Sequence, residues 1–204
     1  DKTLKGVQER GKLPDHLVLP TAGGTLLPRV ATSFQELKAL GWAEGECKIH
    51  CAQADGCAPV VRALHQDLDY INPEKPKTIA KSIAIGDPAD GRYVLEEVRN
   101  SGGWGDVATD EEILEAIELL AIKEGIFTEP AGGTTLAVAI KLIEQNRIKT
   151  DETVVVGITG NGYKSQDLIS SRFDVDVVLR PNLQIFREWY EAQENLLNRT
   201  SSVG

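Results

Sequence analysis

The sequence predicts an α/β fold: a layered, mostly parallel sheet with helices on both faces. Three observations carry that expectation. Apolar runs of strand length alternate along the chain with segments whose apolar residues recur at helical spacing. Two of those runs end in glycine-rich corners, TAGGT at 21–25 and GITGNG at 157–162, and in open parallel sheets ligands bind beyond the carboxyl ends of the strands. The run TVVVGIT at 153–159 is continuously apolar through its middle, the pattern of a strand buried on both faces of such a sheet.

In order, HLVLP (16–20) is a short strand that runs into TAGGT, after which LLPRVATSFQELKAL (26–40) has helical spacing and halts at Gly41. A second strand is expected over 47–54 (CKIHCAQA) and a second helix over 57–67 (CAPVVRALHQD). INPEKPK (71–77) is a loop, and TIAKSIAIGDPADG (78–91) has helical character only as far as Gly86-Asp87-Pro88. Thr109 to Glu112 supplies a capping box, with Thr109 at the N-cap, so the helix that follows starts there and ends at Gly125. Pro130 suits the first turn of the next helix, over 131–147. The strand at 153–159 comes next; a strand at 174–179 (DVDVVL) and an amphipathic helix at 183–197 close the chain. These last elements are expected as an extension, residues 173–204, packed on one large domain of residues 1–172.

With 204 residues, 41% hydrophobic and 26% charged, the chain can bury a substantial core. Its net charge of −9 and lack of a basic patch argue against nucleic acid or an anionic membrane as partner, because such binding is built from clustered Lys and Arg. No apolar stretch approaches the roughly 20 residues of a membrane span, and no secretory signal opens the sequence. Cys47, Cys51 and Cys57 fit reduced intracellular thiols better than a disulfide framework. The spacing of Cys47 and Cys51 is metal-like, but no second pair completes a zinc site, so no metal is expected and buried small hydrophobes are the better reading. The chain contains no methionine and begins at Asp1, so it is expected to be a piece of a longer protein.

The second corner almost spells a nucleoside-triphosphate loop, since Lys164-Ser165 follow Gly157 and Gly162. Tyr163 stands in the lysine's place, and too little helix follows, so that reading fails. The first corner leads straight into a helix, where backbone N–H groups and the positive end of the helix dipole converge. Glycine lets the chain approach an anion, and Thr21 and Thr25 add hydroxyl donors, so phosphate is the expected ligand. The competing reading is a tight turn with glycines for geometry alone. At the second corner a plain glycine turn competes with presentation of the Thr159 hydroxyl to a ligand atom. His16, His50 and His65 lie on separate elements, His50 half in the core, with no nucleophile paired to them. Asp110, Glu111, Glu112, Glu115 and Glu118 crowd one helix and read as a solvated face with favourable N-terminal charge. Glu129, next to Pro130, is the one acid whose place at the sheet's carboxyl edge points to a role.

The stretches PTAGGTLL, AQADGCAPV, PKTIAKSIAIGDPADG, EEILEAIELLAIKEGIFTEPAGGTTLAVAIKLIE and VVVGITGNGYKSQD, in this order, resemble the C-terminal part of the threonine synthase family. The resemblance runs from about Leu13 to Asp167. It implies the large-domain fold of tryptophan-synthase-β-like enzymes, pyridoxal 5'-phosphate as cofactor, and conversion of O-phosphohomoserine and water to threonine and phosphate. It also implies a small-molecule substrate as partner and a cytoplasmic homodimer for the full-length enzyme. By the same resemblance, the backbone amides of Ala22, Gly23, Gly24, Thr25 and Leu26 hold the cofactor phosphate. Thr159 hydrogen-bonds the pyridine nitrogen, and a neutral hydroxyl there leaves that nitrogen mostly unprotonated. Gly160, Asn161 and Gly162 shape the turn, while Ser82 to Pro88 and Glu129 to Gly132 line the cofactor's side of the cleft.

The family's Schiff-base lysine lies in an N-terminal motif resembling N-P-T-G-S-F-K-D, which has no counterpart in this sequence; Lys77, Lys81 and Lys164 stand in other contexts. No catalytic residue is therefore assigned, and the chain is expected to be a C-terminal fragment that does not turn over alone. Two alternatives stay open: a threonine or serine dehydratase-like enzyme on the same fold, and a non-catalytic module that binds phosphate or pyridoxal phosphate.

Overall fold

The computed structural model describes residues 11–170 and 178–200. The chain forms two compact units, the first ending at Leu168 and the second beginning at Ile169. In order, the elements are β1 (Gly11–Lys12), β2 (His16–Pro20), α1 (Leu26–Ala39), β3 (Ala43–Glu44), β4 (Lys48–Ala54) and α2 (Pro59–His65). They continue with α3 (Gly91–Asn100), β5 (Gly105–Ala108), α4 (Asp110–Glu124), α5 (Pro130–Glu144), β6 (Val154–Val156), the short α6 (Asp167–Ser170) and α7 (Leu183–Thr200). Four strands form a parallel sheet in the order β5-β4-β2-β6, and β1 pairs with β3 in a small parallel ribbon.

Alternation along β2 and β4 divides the core. Leu17, Leu19, Ile49 and Cys51 belong to one cluster with Leu27 and Ala31 of α1, Val60, Val61 and Leu64 of α2, and Val94, Leu95 and Val98 of α3. Val18 and Ala52, both wholly buried, point the other way, toward the face where α5 crosses β2, β4 and β5. Small residues let α5 come close: a Cβ on Gly133 would sit 2.6 Å from the Ile113 carbonyl oxygen of α4. Thr134 and Thr135 satisfy their buried hydroxyls on the carbonyls of Pro130 and Ala131 one turn back (2.8 and 2.9 Å).

The capping box of α4 is present in both halves. Thr109 Oγ1 accepts from the Glu112 amide (3.2 Å), the Glu112 carboxylate accepts from the Thr109 amide (2.8 Å), and Gly125 ends the helix at φ 67°. Thr109→Ala is expected to cost about 1 kcal/mol in equilibrium denaturation, and Thr109→Ser a fraction of that. Equal losses in the two variants would show that the methyl group, not the cap, is what matters.

Several expectations change. TVVVGIT forms only the three-residue β6, which pairs with β2 alone among the described residues and leaves Val155 48% exposed, so it is an edge strand and not one buried on both faces. The pairing stops when the Gly157 amide bonds to Val18 O (2.9 Å) and the chain turns away. Residues 78–90 contain a single 3-10 turn, Lys81–Ile83, instead of a helix, because outside partners hold their backbone. Ile79 N–H donates to the Asp110 carboxylate (3.2 Å), and Glu74 N–H donates to Gly86 O (3.0 Å). α3 and β5 are additions to the sequence reading. The strand expected at 174–179 lies for the most part outside the described residues. Within the second unit, Asn182 caps α7 by accepting from the amides of Gln184 and Ile185 (2.8 and 3.3 Å).

Candidate functional site

β2 delivers the chain to the carboxyl edge of the sheet at Pro20, and α1 begins at Leu26, so the whole TAGGT corner lies at the site expected of an open parallel sheet. There a cavity of about 260 Å³ is lined by Pro20 to Leu27, by Ser82 and Ile83, by Glu129 and Ala131, and by Thr159. It brings together Ala22, Gly23, Gly24, Thr25, Leu26 and Thr159, drawn from two distant parts of the chain. Of the further residues expected to line the cleft, Ser82, Ile83, Glu129 and Ala131 do so, whereas the stretch from Ala84 to Pro88, Pro130 and Gly132 do not. Pro20, Thr21 and Leu27 complete the wall.

The corner's amides are available to a ligand. Among the described residues, none of those from Ala22 to Leu26 donates to a backbone carbonyl, while the Thr21 amide is used by Ala52 O (2.9 Å). They stand at the positive end of α1. The Thr21 hydroxyl is buried without an oxygen or nitrogen partner. Beside it is the Cys51 thiol, which burial pushes up to about 12 against the smaller lowering effect of the hydroxyl. Thr25 departs from expectation: its hydroxyl donates to Asp90 Oδ2 at 2.6 Å, so its single proton is committed and the backbone N–H is the donor it has left. Gln53, wholly buried, supports the corner from β4. Its amide nitrogen donates to Thr21 O (3.3 Å) and its oxygen accepts from Val60 and Val61 at the start of α2 (3.0 and 3.1 Å). Nothing in the local pattern marks Gln53, because its partners lie off its own strand, in the corner after β2 and on α2.

The second corner is clamped against the chain ahead of α5. Gly162 N–H donates to Phe127 O (3.0 Å), Thr128 Oγ1 to Gly160 O (2.9 Å), and Glu129 N–H to Gly160 O (3.2 Å). A Cβ on Gly160 would lie 2.1 Å from the Glu129 carboxylate, and one on Gly162 would lie 2.6 Å from the Phe127 ring. These glycines are required by close approach. Thr159 is exposed, in the loop past β6, and not held by a buried strand as the sequence implied.

The acidic face of α4 is only partly solvated. Asp110 accepts from Thr78 Oγ1 (2.5 Å) and from the Ile79 amide, which anchors the loop that carries Ser82 and Ile83 into the cavity wall. Glu112 accepts from Lys141 Nζ at 2.7 Å.

At the opposite, amino end of the strands a buried relay runs through two histidines. His16 and His50 are 0% and 2% exposed, so His50 lies wholly in the core. Trp104 N–H donates to His50 Nδ1 (3.0 Å), which makes that nitrogen an acceptor. His50 Nε2 then donates to His16 Nδ1 (2.9 Å), and His16 Nε2 to Glu152 (3.0 Å). Burial lowers His50 from its ordinary 6.5 to about 4, helped by the facing His16, Lys48 and Arg147. All three cysteines are free and buried; burial raises Cys47 to about 11 and also raises Cys57, so they stay protonated and unreactive.

Free amides, the positive end of a helix and an orphaned buried hydroxyl fit an anionic group such as a phosphate, and the exposed Thr159 hydroxyl fits a ring nitrogen across the same cavity. Among the described residues, no lysine lines that cavity.

Residues 4–160 match the model of a family described as pyridoxal-phosphate dependent enzyme. Among curated relatives, the threonine synthase of Methanocaldococcus jannaschii is 38% identical over 157 residues, covering 76% of this chain and 39% of the relative. The threonine synthase of Bacillus sp. (strain ULM1) is 38% identical over 165 residues, covering 80% and 44%. The chain thus spans less than half the length of these relatives. Solved structures with the same fold include the processed form of threonine deaminase isoform 2 from Solanum lycopersicum, with TM-score 0.57, 20% identity, and coverage of 76% of this chain and 43% of that one. Maize serine racemase has TM-score 0.60 and 19% identity, with coverage of 78% and 48%. The match over most of its length makes this chain a member of the pyridoxal-phosphate-dependent enzyme family, most of it aligned with proteins named threonine synthase.

Proposed function

We propose that this chain forms the cofactor-phosphate and ring-nitrogen side of the active site of a threonine synthase, which converts O-phosphohomoserine and water to threonine and phosphate. The observation that carries the reading is the convergence of the free amides of 22–26 and the Thr159 hydroxyl on one cavity. Pyridoxal phosphate, when bound, supplies the electron sink for carbanions at the amino-acid substrate. The amides of Ala22 to Leu26 hold its phosphate, the α1 N-terminus adds favourable field, and the Thr159 hydroxyl donates to the pyridine nitrogen without giving up its proton. Glu129 lines the same cavity.

The lysine that secures the cofactor comes from outside this cavity's lining in the described residues, so the chain is proposed to be inactive by itself. Borohydride reduction that fixed the cofactor onto a lysine of this chain would overturn that part. Cytoplasmic location and homodimeric assembly of the full-length enzyme belong to the same proposal; no described helix is long and apolar enough to cross a membrane.

Incubating the full-length protein with O-phosphohomoserine, serine and threonine tests the substrate. Equal amounts of threonine and phosphate from the first are expected. Ammonia from the other two, with none of those products, would instead indicate a dehydratase, and binding of the cofactor without any turnover a non-catalytic module. Thr159→Val should lower threonine formation about tenfold or more, the value of one hydrogen bond to the reacting system, with unfolding unchanged because the side chain is exposed. Unaltered turnover would remove Thr159 from the site.

A further inference from the structure

The hydrogen bond between Thr25 and Asp90 gives a residue outside the cavity a part in it, provided that TAGGT is the phosphate cradle proposed above. Asp90 stands at the N-cap position of α3, where an aspartate ordinarily accepts from its own helix's amides. It makes no such bond. Its carboxylate instead accepts from the Thr25 hydroxyl at 2.6 Å, its amide donates to Gly23 O at 2.9 Å, and its carbonyl packs where a Cβ of Gly24 would stand. Three contacts thus hold three consecutive residues of the corner against one turn of chain far away in sequence. Asp90 does not line the cavity of the cradle; with Thr25 it lines a separate groove beside it.

We propose that Asp90 is a positioning residue for phosphate binding: by fixing Thr25 it keeps the amides of 22–26 converged on one point before a ligand arrives. Preorganised donors bind an anion without the cost of ordering the loop. Without the carboxylate, the Thr25 hydroxyl is released and only the two backbone contacts, at Gly23 and Gly24, still hold a corner whose glycines offer many conformations.

The test uses two cofactor analogues that cannot react with amines, 4'-deoxypyridoxine 5'-phosphate and its phosphate-free form 4'-deoxypyridoxine, in equilibrium binding to the full-length protein. The parent should prefer the phosphorylated analogue. Asp90→Ala and Thr25→Val should each weaken that analogue about tenfold, as for the loss of one charged hydrogen bond, and leave the phosphate-free one unchanged, which a general loss of structure would not do. The double variant should be no weaker than either single one, because both remove the same bond. Asp90→Asn, which keeps an acceptor for Thr25, should retain the parent's affinity. A parent-like preference in Asp90→Ala, additive losses in the double variant, or equal losses in Asp90→Asn and Asp90→Ala would each overturn the role of Asp90 and leave the cradle standing. A parent with no preference for the phosphorylated analogue would overturn the cradle as well.

Discussion

Gly24→Ala is expected to destabilise the protein by about 2–4 kcal/mol and to abolish its preference for a phosphorylated ligand, since both positive-φ strain and a backbone clash enter at once. Gly24 has φ +96°, a region that L-residues rarely occupy. A Cβ there would lie 2.8 Å from the carbonyl carbon of Asp90, 3.0 Å from its oxygen and 3.1 Å from the Gly91 nitrogen. All three atoms are backbone and cannot swing aside as a side chain would. Relief requires the corner to lift off the Asp90 turn, which breaks the Thr25–Asp90 and Asp90–Gly23 bonds together. Gly23→Ala is the internal control, because its Cβ would meet only the end of the Ile85 side chain at 3.7 Å, an ordinary contact. Denaturant unfolding and analogue binding read the difference. Equal behaviour of the two alanine variants would refute the account.

Acidification should unlock the other end of the sheet. His50 is 2% exposed, and burial with the facing His16, Lys48 and Arg147 lowers it from 6.5 to about 4. An unfolded chain therefore binds a proton between those values that the folded chain refuses, and stability falls as pH falls. The contribution is present in full above about pH 6.5 and is lost by the time pH passes about 4, a loss on the order of 3 kcal/mol for a shift of this size. The relay gives the loss a structural cause: protonating His50 Nδ1 would set it against the Trp104 amide, a donor facing a donor. Carboxylates on the same edge act in the same direction at lower pH. Glu152 is lowered by the Lys149 amide and by His16, and Asp15 to about 2 chiefly by the Thr153 amide and hydroxyl. Thermal unfolding across pH 7 to 4 measures the slope, about 1.4 kcal/mol per pH unit at its steepest for one proton. His50→Gln, which keeps polar atoms but cannot titrate, should flatten the slope between those values even if it lowers stability overall. The same slope in parent and variant would place the titration elsewhere.

How far the residues could be read depended on the range of the interactions that shape them. The strand–glycine–helix succession at 16–39, the capping box at Thr109 and the proline start of α5 are written in neighbouring residues, and each stands in the structure within a residue or two of its expected limits. α3 carried a usable signal, apolar Val94, Leu95 and Val98 on one face, that the neighbouring Gly86-Asp87-Pro88 obscured. β5 carried almost none: GDVA has little strand character, and it is extended because Cys51 to Ala54 of β4 offer it a parallel partner. The stretch from Thr78 up to Gly86 looked helical because local spacing cannot register a carboxylate at Asp110 that holds the Ile79 amide.

The candidate site divides the same way. That a glycine corner before a helix would gather free amides is local chemistry, legible from TAGGT because dihedral freedom, N–H direction and helix dipole all belong to adjacent residues. That Thr159 would share its cavity, that Thr25 would give its proton to Asp90, and that His16 and His50 would join into one buried relay depend on pairs separated by tens of residues or more. A linear pattern constrains the conformation of each segment; which segments meet is set by burial and packing summed over the whole sheet, and in this chain those meetings decide which groups are free to bind.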